Sequence, residues 1–187
     1  MMKTLLATLV SVFISFSLPA QVKVGGVPFP QRVKALGHTF QLQGAGVREK
    51  LWIDLYAIGT YALKKYPSAE AMKNADEPML LRLVIISSLI TEEKMRHSTI
   101  EGFQKSLGKD YPKMEAEIHR FINLFAGDIH KGEKIILAYT PRSGTVIYRG
   151  GKKKGVIQGL DFKKALWGIW LGKNPASESL KEELVGR

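Results

Sequence analysis

No cysteine occurs anywhere in the 187 residues. That excludes disulfide staples and lipid attachment at a mature N-terminal cysteine, so the folded chain rests on its packing alone. Catalytic signatures are missing as well: there is no HExxH, no GxSxG and no GxxxxGK[ST]. The four histidines, His38, His97, His119 and His130, are scattered, and no two are four residues apart. A histidine metal centre is therefore not expected, nor any cofactor. His119, between Ile118 and Phe121, reads as a surface or boundary residue. Acidic residues are outnumbered, 17 against 28 basic ones, for a net charge of +11, one less without Lys3. Such a balance favours anionic partners: lipid head groups, acidic ligands or nucleic acid. It also serves plain solubility, and GGKKKG at 150–155 reads as a solvated hairpin tip.

A long apolar run appears once, at the start. MMKTLLATLVSVFISFSLPA carries Lys3, then apolar and small residues over 5–18, then Leu18-Pro19-Ala20. This is the anatomy of a cleavable signal peptide over residues 1–20, with the mature chain beginning at Gln21. The run is short for a membrane span and is interrupted by Ser11, Ser15 and Ser17. Export sets nucleic acid last among its partners. An acidic small molecule remains, with peripheral contact to anionic lipid and no specified protein partner. Residues 21–187 form one domain, since about 165 residues is ordinary domain size and enough to bury a core.

Along that domain, short alternating bursts separated by Gly and Pro over 21–44 predict strands and turns. PMLLRLVIIS (78–87), EKIILAYTP (133–141) and GTVIYRG (144–150) predict further strands, with a short one near KGVIQ (154–158). Helices are expected around SAEAMKNA, from Thr91 as N-cap, from Pro112, from Asp161 as cap, and from Pro175. Strands, helices, strands, then helices predict an α+β fold with a large antiparallel sheet covered on one face by helices.

GAGVREKLWIDLYAIGTYAL at 44–63 poses the functional question. Counted as one strand, Val47, Leu51, Ile53, Leu55 and Ala57 share an apolar face that Glu49 interrupts. Arg48, Lys50, Trp52, Asp54 and Tyr56 share the other. The segment is too long for one strand, so a hairpin near Glu49-Lys50 or a strong bend is expected. Arg48, Trp52 and Tyr56 on one face suit the wall of a mostly apolar pocket. They equally suit a rim arginine beside two core aromatics. Trp167 and Trp170 read as core or pocket wall.

This segment and the closing FKKALWGIWLGKNPASESLKEELVG together resemble the chalcone isomerase superfamily, in particular its exported bacterial chalcone isomerase-like branch. The resemblance covers 26–186 and implies an open-faced β-sandwich with a ligand cleft between sheet and helices and, with the leader, the periplasm of a Gram-negative bacterium. Ring closure in the plant enzyme uses an arginine after Gly-Ala-Gly-x, which Arg48 matches. It also uses a threonine before Ala-Ile-Gly, where this chain has Tyr56, as the related fatty-acid-binding proteins do. The enzyme's helix tyrosine and asparagine fall near Lys94 and Glu101, and its late hydroxyl falls at Ile169. With only Arg48 retained, the resemblance implies a non-catalytic binding protein for a fatty acid or similar amphiphilic carboxylate, with Arg48 and Tyr56 as ligand-binding residues. An isomerase acting on a chalcone-like enone and a ligand-free protein-interaction module are the alternatives.

Overall fold

The computed structural model describes residues 21–187; the leader expected over residues 1–20 lies outside them. Strands β1 (Gln21–Val24) and β2 (Val27–Pro30) form a ribbon that turns at Gly25-Gly26, both with positive φ. Seven more strands follow, β3 (Arg32–Ala35), β4 (His38–Lys50), β5 (Ile53–Ala62), β6 (Met79–Ile85), β7 (Lys134–Thr140), β8 (Gly144–Arg149) and β9 (Lys152–Ile157). They pair antiparallel in sequence order as one sheet. The helices are α1 (Ala69–Asn74), α2 (Glu92–Leu107), α3 (Glu115–Asn123), α4 (Leu160–Leu171) and α5 (Glu178–Leu184).

The apolar run of β6, interrupted only by Arg82, has a simple cause: the strand is covered on both faces. Met79, Leu81, Leu83 and Ile85 face the helices and join Phe103, Phe121, Phe162 and Trp167 in the larger core. Leu80 and Val84 face the other way, toward Phe29, Phe40, Leu42, Ala57 and Tyr61. The expected α+β architecture is therefore found, with one addition. The sheet's second face is partly closed by the β1–β2 ribbon, fastened where Arg82 donates to the Pro28 carbonyl at 2.9 Å.

Helix starts were partly legible. Thr91 caps α2 through Oγ1, which accepts from the Lys94 amide at 3.2 Å. Asp161 does not cap α4: the helix begins after Gly159 and Asp161 sits in its first turn. Pro175 precedes α5 without starting it, and Ser177 supplies that cap. Pro112 falls inside a 3-10 segment, Gly108–Met114, so α3 starts later than expected, at Glu115. The Lys run at 150–155 is also displaced: Gly150-Gly151 makes the turn, and Lys152–Lys154 already belong to β9.

Two irregularities in the β4–β5 pair set the geometry of everything that follows. Leu42 pairs with Tyr61 and Gly44 with Thr60, so Gln43 is an extra residue in β4. Arg48 pairs with Tyr56 and Glu49 with Asp54, so Leu55 is an extra residue in β5. Such bulges bend a strand and re-aim its side chains.

Candidate functional site

The hairpin between β4 and β5 turns at Leu51-Trp52, with Lys50 opposite Ile53, rather than at Glu49-Lys50. Reversal there removes the main obstacle to a shared site for Arg48 and Tyr56. Eight residues of straight strand would hold them about 27 Å apart. Instead they are direct cross-strand partners, on the face that carries the helices. Trp52 is displaced from its expected place beside them: it stands at the turn, almost wholly in solvent, and is not among the residues that line the cleft they share.

A cleft of about 650 Å³ opens between this hairpin and α2, with Ile169 of α4 on its floor. That is the ordinary size for a small-molecule site. The helices close on it because two glycines let them touch. A Cβ at Gly102 would lie 2.9 Å from Ile169, and one at Gly168 would lie 2.0 Å from the Ser106 hydroxyl. Ser106 in turn donates to the Ala165 carbonyl at 2.7 Å, locking α2 onto α4.

Arg48, Tyr56, Lys94, Glu101 and Ile169, far apart in sequence, all line this cleft. Leu55, Ile90 and Met95 supply its apolar surface, with Leu51, Ile53 and Leu89 at the hairpin end. A smaller apolar chamber of about 70 Å³ lies inward, walled by Leu83, Phe121, Phe125, Ile135, Leu137 and Leu166. Tyr56, Met95, Ser98 and Ile169 are common to both, so they form the partition between them.

The electrostatics of the partition are specific. Trp170 Nε1 donates to the Tyr56 hydroxyl at 2.9 Å. That leaves the phenol's own proton free to donate, since a hydroxyl both gives and accepts. Burial raises the Tyr56 pKa, while the Trp170 bond and the Arg48 charge oppose it. Tyr56 is thus a neutral donor at neutral pH and a poor base. Arg48 donates to the Glu49 backbone carbonyl. Among the described residues it has no carboxylate partner within ion-pair distance. Arg48 is only half-buried, so water can serve its remaining N–H groups until an anion replaces it. Glu101, by contrast, is claimed: Lys105 lies 2.7 Å away and Lys50 3.9 Å, and the Lys105 bond leads in holding its carboxyl below the usual range.

Trp170 is the functional residue that sequence reasoning placed only as core or pocket wall. Its position one residue after Ile169, on a helix apolar nearly all round, was visible; its bond to Tyr56 was not.

A family model described as chalcone isomerase-like matches residues 21–186. The chain belongs to the chalcone isomerase-like family. Among solved structures, the Arabidopsis thaliana fatty-acid binding protein AtFAP1 superposes with a TM-score of 0.73 over 89% of this chain and 96% of that one, at 21% identity. At that identity the match establishes the fold. No curated protein matches the sequence.

Proposed function

We propose that this chalcone isomerase-like chain is a periplasmic, non-catalytic binding protein for a fatty acid or similar amphiphilic carboxylate. The observation that carries the reading is the pairing of Arg48 with Tyr56 across the hairpin, on the wall of a largely apolar cleft. Two donors converge there, one cationic with no carboxylate of its own and one a neutral phenol fixed by Trp170. Arginine offers a planar fork of N–H groups that matches a carboxylate. The acyl chain would lie along Leu55, Met95 and Ile169, each buried methylene contributing about 0.8 kcal/mol. The fatty-acid binding of the structurally similar plant protein supports this choice of ligand class.

The reading sets a measurable expectation. Arg48→Ala should weaken fatty-acid binding by about 1.5–3 kcal/mol, the scale of hydrogen bonds to a charged group. Arg48→Lys should recover only part of the loss, because an ammonium lacks the fork. Calorimetric titration with a saturated fatty acid checks both, and equal affinity of wild type and Arg48→Ala would remove the carboxylate role.

Chalcone ring closure is the competing reading, and Arg48 is what favours it. It needs a phenolate aimed at an enone and donors where enolate charge develops, each such donor worth about 10²–10³ in rate. Here the hydroxyl and amide positions are held by Lys94, Glu101 and Ile169, and Glu101 brings a negative charge into the cleft. No chalcone turnover above the uncatalysed rate is expected. Turnover that Arg48→Ala abolishes would make this chain an isomerase instead. The periplasmic placement rests on the leader together with the resemblance to an exported bacterial branch, and an N-terminus near Gln21 in protein recovered from the periplasm is the matching result.

A further inference from the structure

Four large apolar side chains that the fold leaves exposed gather in one place. Leu51 is 81% exposed, Trp52 94%, Leu89 52% and Ile53 38%. Leu51, Ile53 and Leu89 rim the cleft, and Trp52 stands beside them at the hairpin turn. Leu51 and Trp52 are also the two turn residues, with φ of 52° and 65°. That left-handed conformation is costly for any residue with a Cβ, and Asn-Gly would hold the same turn with little strain. A tip shaped only for folding would carry neither the strain nor an indole in water.

Charge around the tip is layered. At the tip itself Arg48, Lys50 and Lys94 are balanced by Glu49, Asp54 and Glu93. Behind it, the same end of the sheet carries Lys131, Lys134, Lys152 and Lys153, all exposed. Ala57, Val84 and Lys134 lie at one level across the strands, and Ile53 is four residues beyond Ala57. The basic rim is therefore set back from the tip by about 13 Å.

We propose that the Leu51-Trp52 tip is a membrane-insertion element that docks the mouth of the cleft on an anionic phospholipid surface. Apolar side chains at an interface settle about 5–10 Å into the boundary between head groups and acyl chains, and tryptophan favours that depth. Insertion to this depth brings the set-back lysines down to the head groups, where cations are attracted. The cleft then opens onto lipid, and an amphiphile can pass between bilayer and cleft without crossing water. The docking stands on the tip itself; the exchange of ligand rests on the binding function proposed above.

The test uses the chain from Gln21, whose described residues hold the complete sheet and both cores, with vesicles of phosphatidylglycerol and phosphatidylethanolamine. Wild type should sediment with these vesicles and not with phosphatidylcholine vesicles. Trp52 emission should shift to the blue, since Trp167 and Trp170 are already buried. Leu51→Asn/Trp52→Gly installs the preferred turn, so it should melt no lower than wild type. It should nevertheless lose vesicle association by roughly a hundredfold or more, the factor for withdrawing two large apolar side chains from lipid. Docking is overturned if wild type stays in the supernatant, if the double variant associates as tightly, or if the tip instead pairs two copies in solution. Fatty-acid affinity measured without vesicles separates the two readings. Fatty-acid binding with no vesicle association removes the docking and keeps the binding function, and vesicle association with no fatty-acid binding does the reverse.

Discussion

Gly44→Ala is expected to destabilise the fold by about 3 kcal/mol or more, well above an ordinary surface change, because it overpacks backbone against backbone. A Cβ on Gly44 would lie 1.9 Å from the Glu183 carbonyl oxygen and 2.7 Å from the Gly186 amide nitrogen. Neither can move unless α5 lifts from the sheet. That helix is held through Leu180 and Leu184 in the core and through Thr60 Oγ1, which donates to the Leu184 carbonyl at 2.5 Å. Gly46→Ala should cost less, about 1 kcal/mol, the low end for an overpacked site. Its Cβ would meet the Glu183 carboxylate at 1.8 Å and Leu180 Cδ1 at 2.7 Å, the far ends of two side chains rather than backbone. Urea midpoints of the two variants check the order. Equal midpoints for Gly44→Ala and wild type would mean that α5 is not seated on β4.

The Gly-Ala-Gly pattern therefore has a structural reading beside any functional one. Both glycines face α5, and Gln43, the extra residue just before them, sets that facing. What was legible in the sequence follows from this kind of local rule. Strands and helices came through because their periods and caps are written in neighbouring residues, as at Thr91 and along β6. The hairpin turn did not, because Leu51-Trp52 carries none of the residues that announce a left-handed turn. Trp52 consequently fits neither expectation for its face, being neither wall of this cleft nor core.

The shared face of Arg48 and Tyr56 was legible for a reason that is partly coincidence. Counting Arg48 and Tyr56 as even positions of one strand put them on one face. In the structure, a two-residue turn and one bulged residue, Leu55, together restore that relation. Without the bulge, residues pairing from Lys50 and Ile53 would set Arg48 against Leu55, and Tyr56 would point away. The contribution of α2 was visible only through family resemblance. Nothing local to Lys94 or Glu101 says that Gly102 lets their helix pack closely on Ile169 of α4, which brings it to the cleft.

Lys163→Met is expected to cost about 2–3 kcal/mol at neutral pH, between the worth of one and several buried carbonyls left unpaired. The cost should grow as the solution becomes alkaline. Lys163 is wholly buried within α4, and its Nζ donates to the carbonyls of Met72 at 3.0 Å, Lys73 at 2.8 Å and Ala75 at 2.8 Å. These are the carbonyls at the end of α1, which have no partner within their own helix. An ammonium has one N–H for each of them. Methionine fills much the same volume, so the loss is of capping, offset in part because a charge no longer has to be buried. Burial pushes the Lys163 ammonium down to about 7, with the Asp76 charge pulling the other way. The folded pKa then lies below the unfolded one, and between about pH 7 and 10.5 the unfolded chain binds the extra proton. Wild-type stability gains from this group as pH rises through that window, by at most about 1.4 kcal/mol per unit. Below about pH 7 both states carry the proton and the burial penalty is felt in full. Methionine does not titrate, so the gap between wild type and variant should widen from neutral to alkaline solution. Urea denaturation of both proteins on either side of neutrality checks the slope. A gap independent of pH would mean that the three carbonyls outweigh burial and keep the ammonium charged throughout.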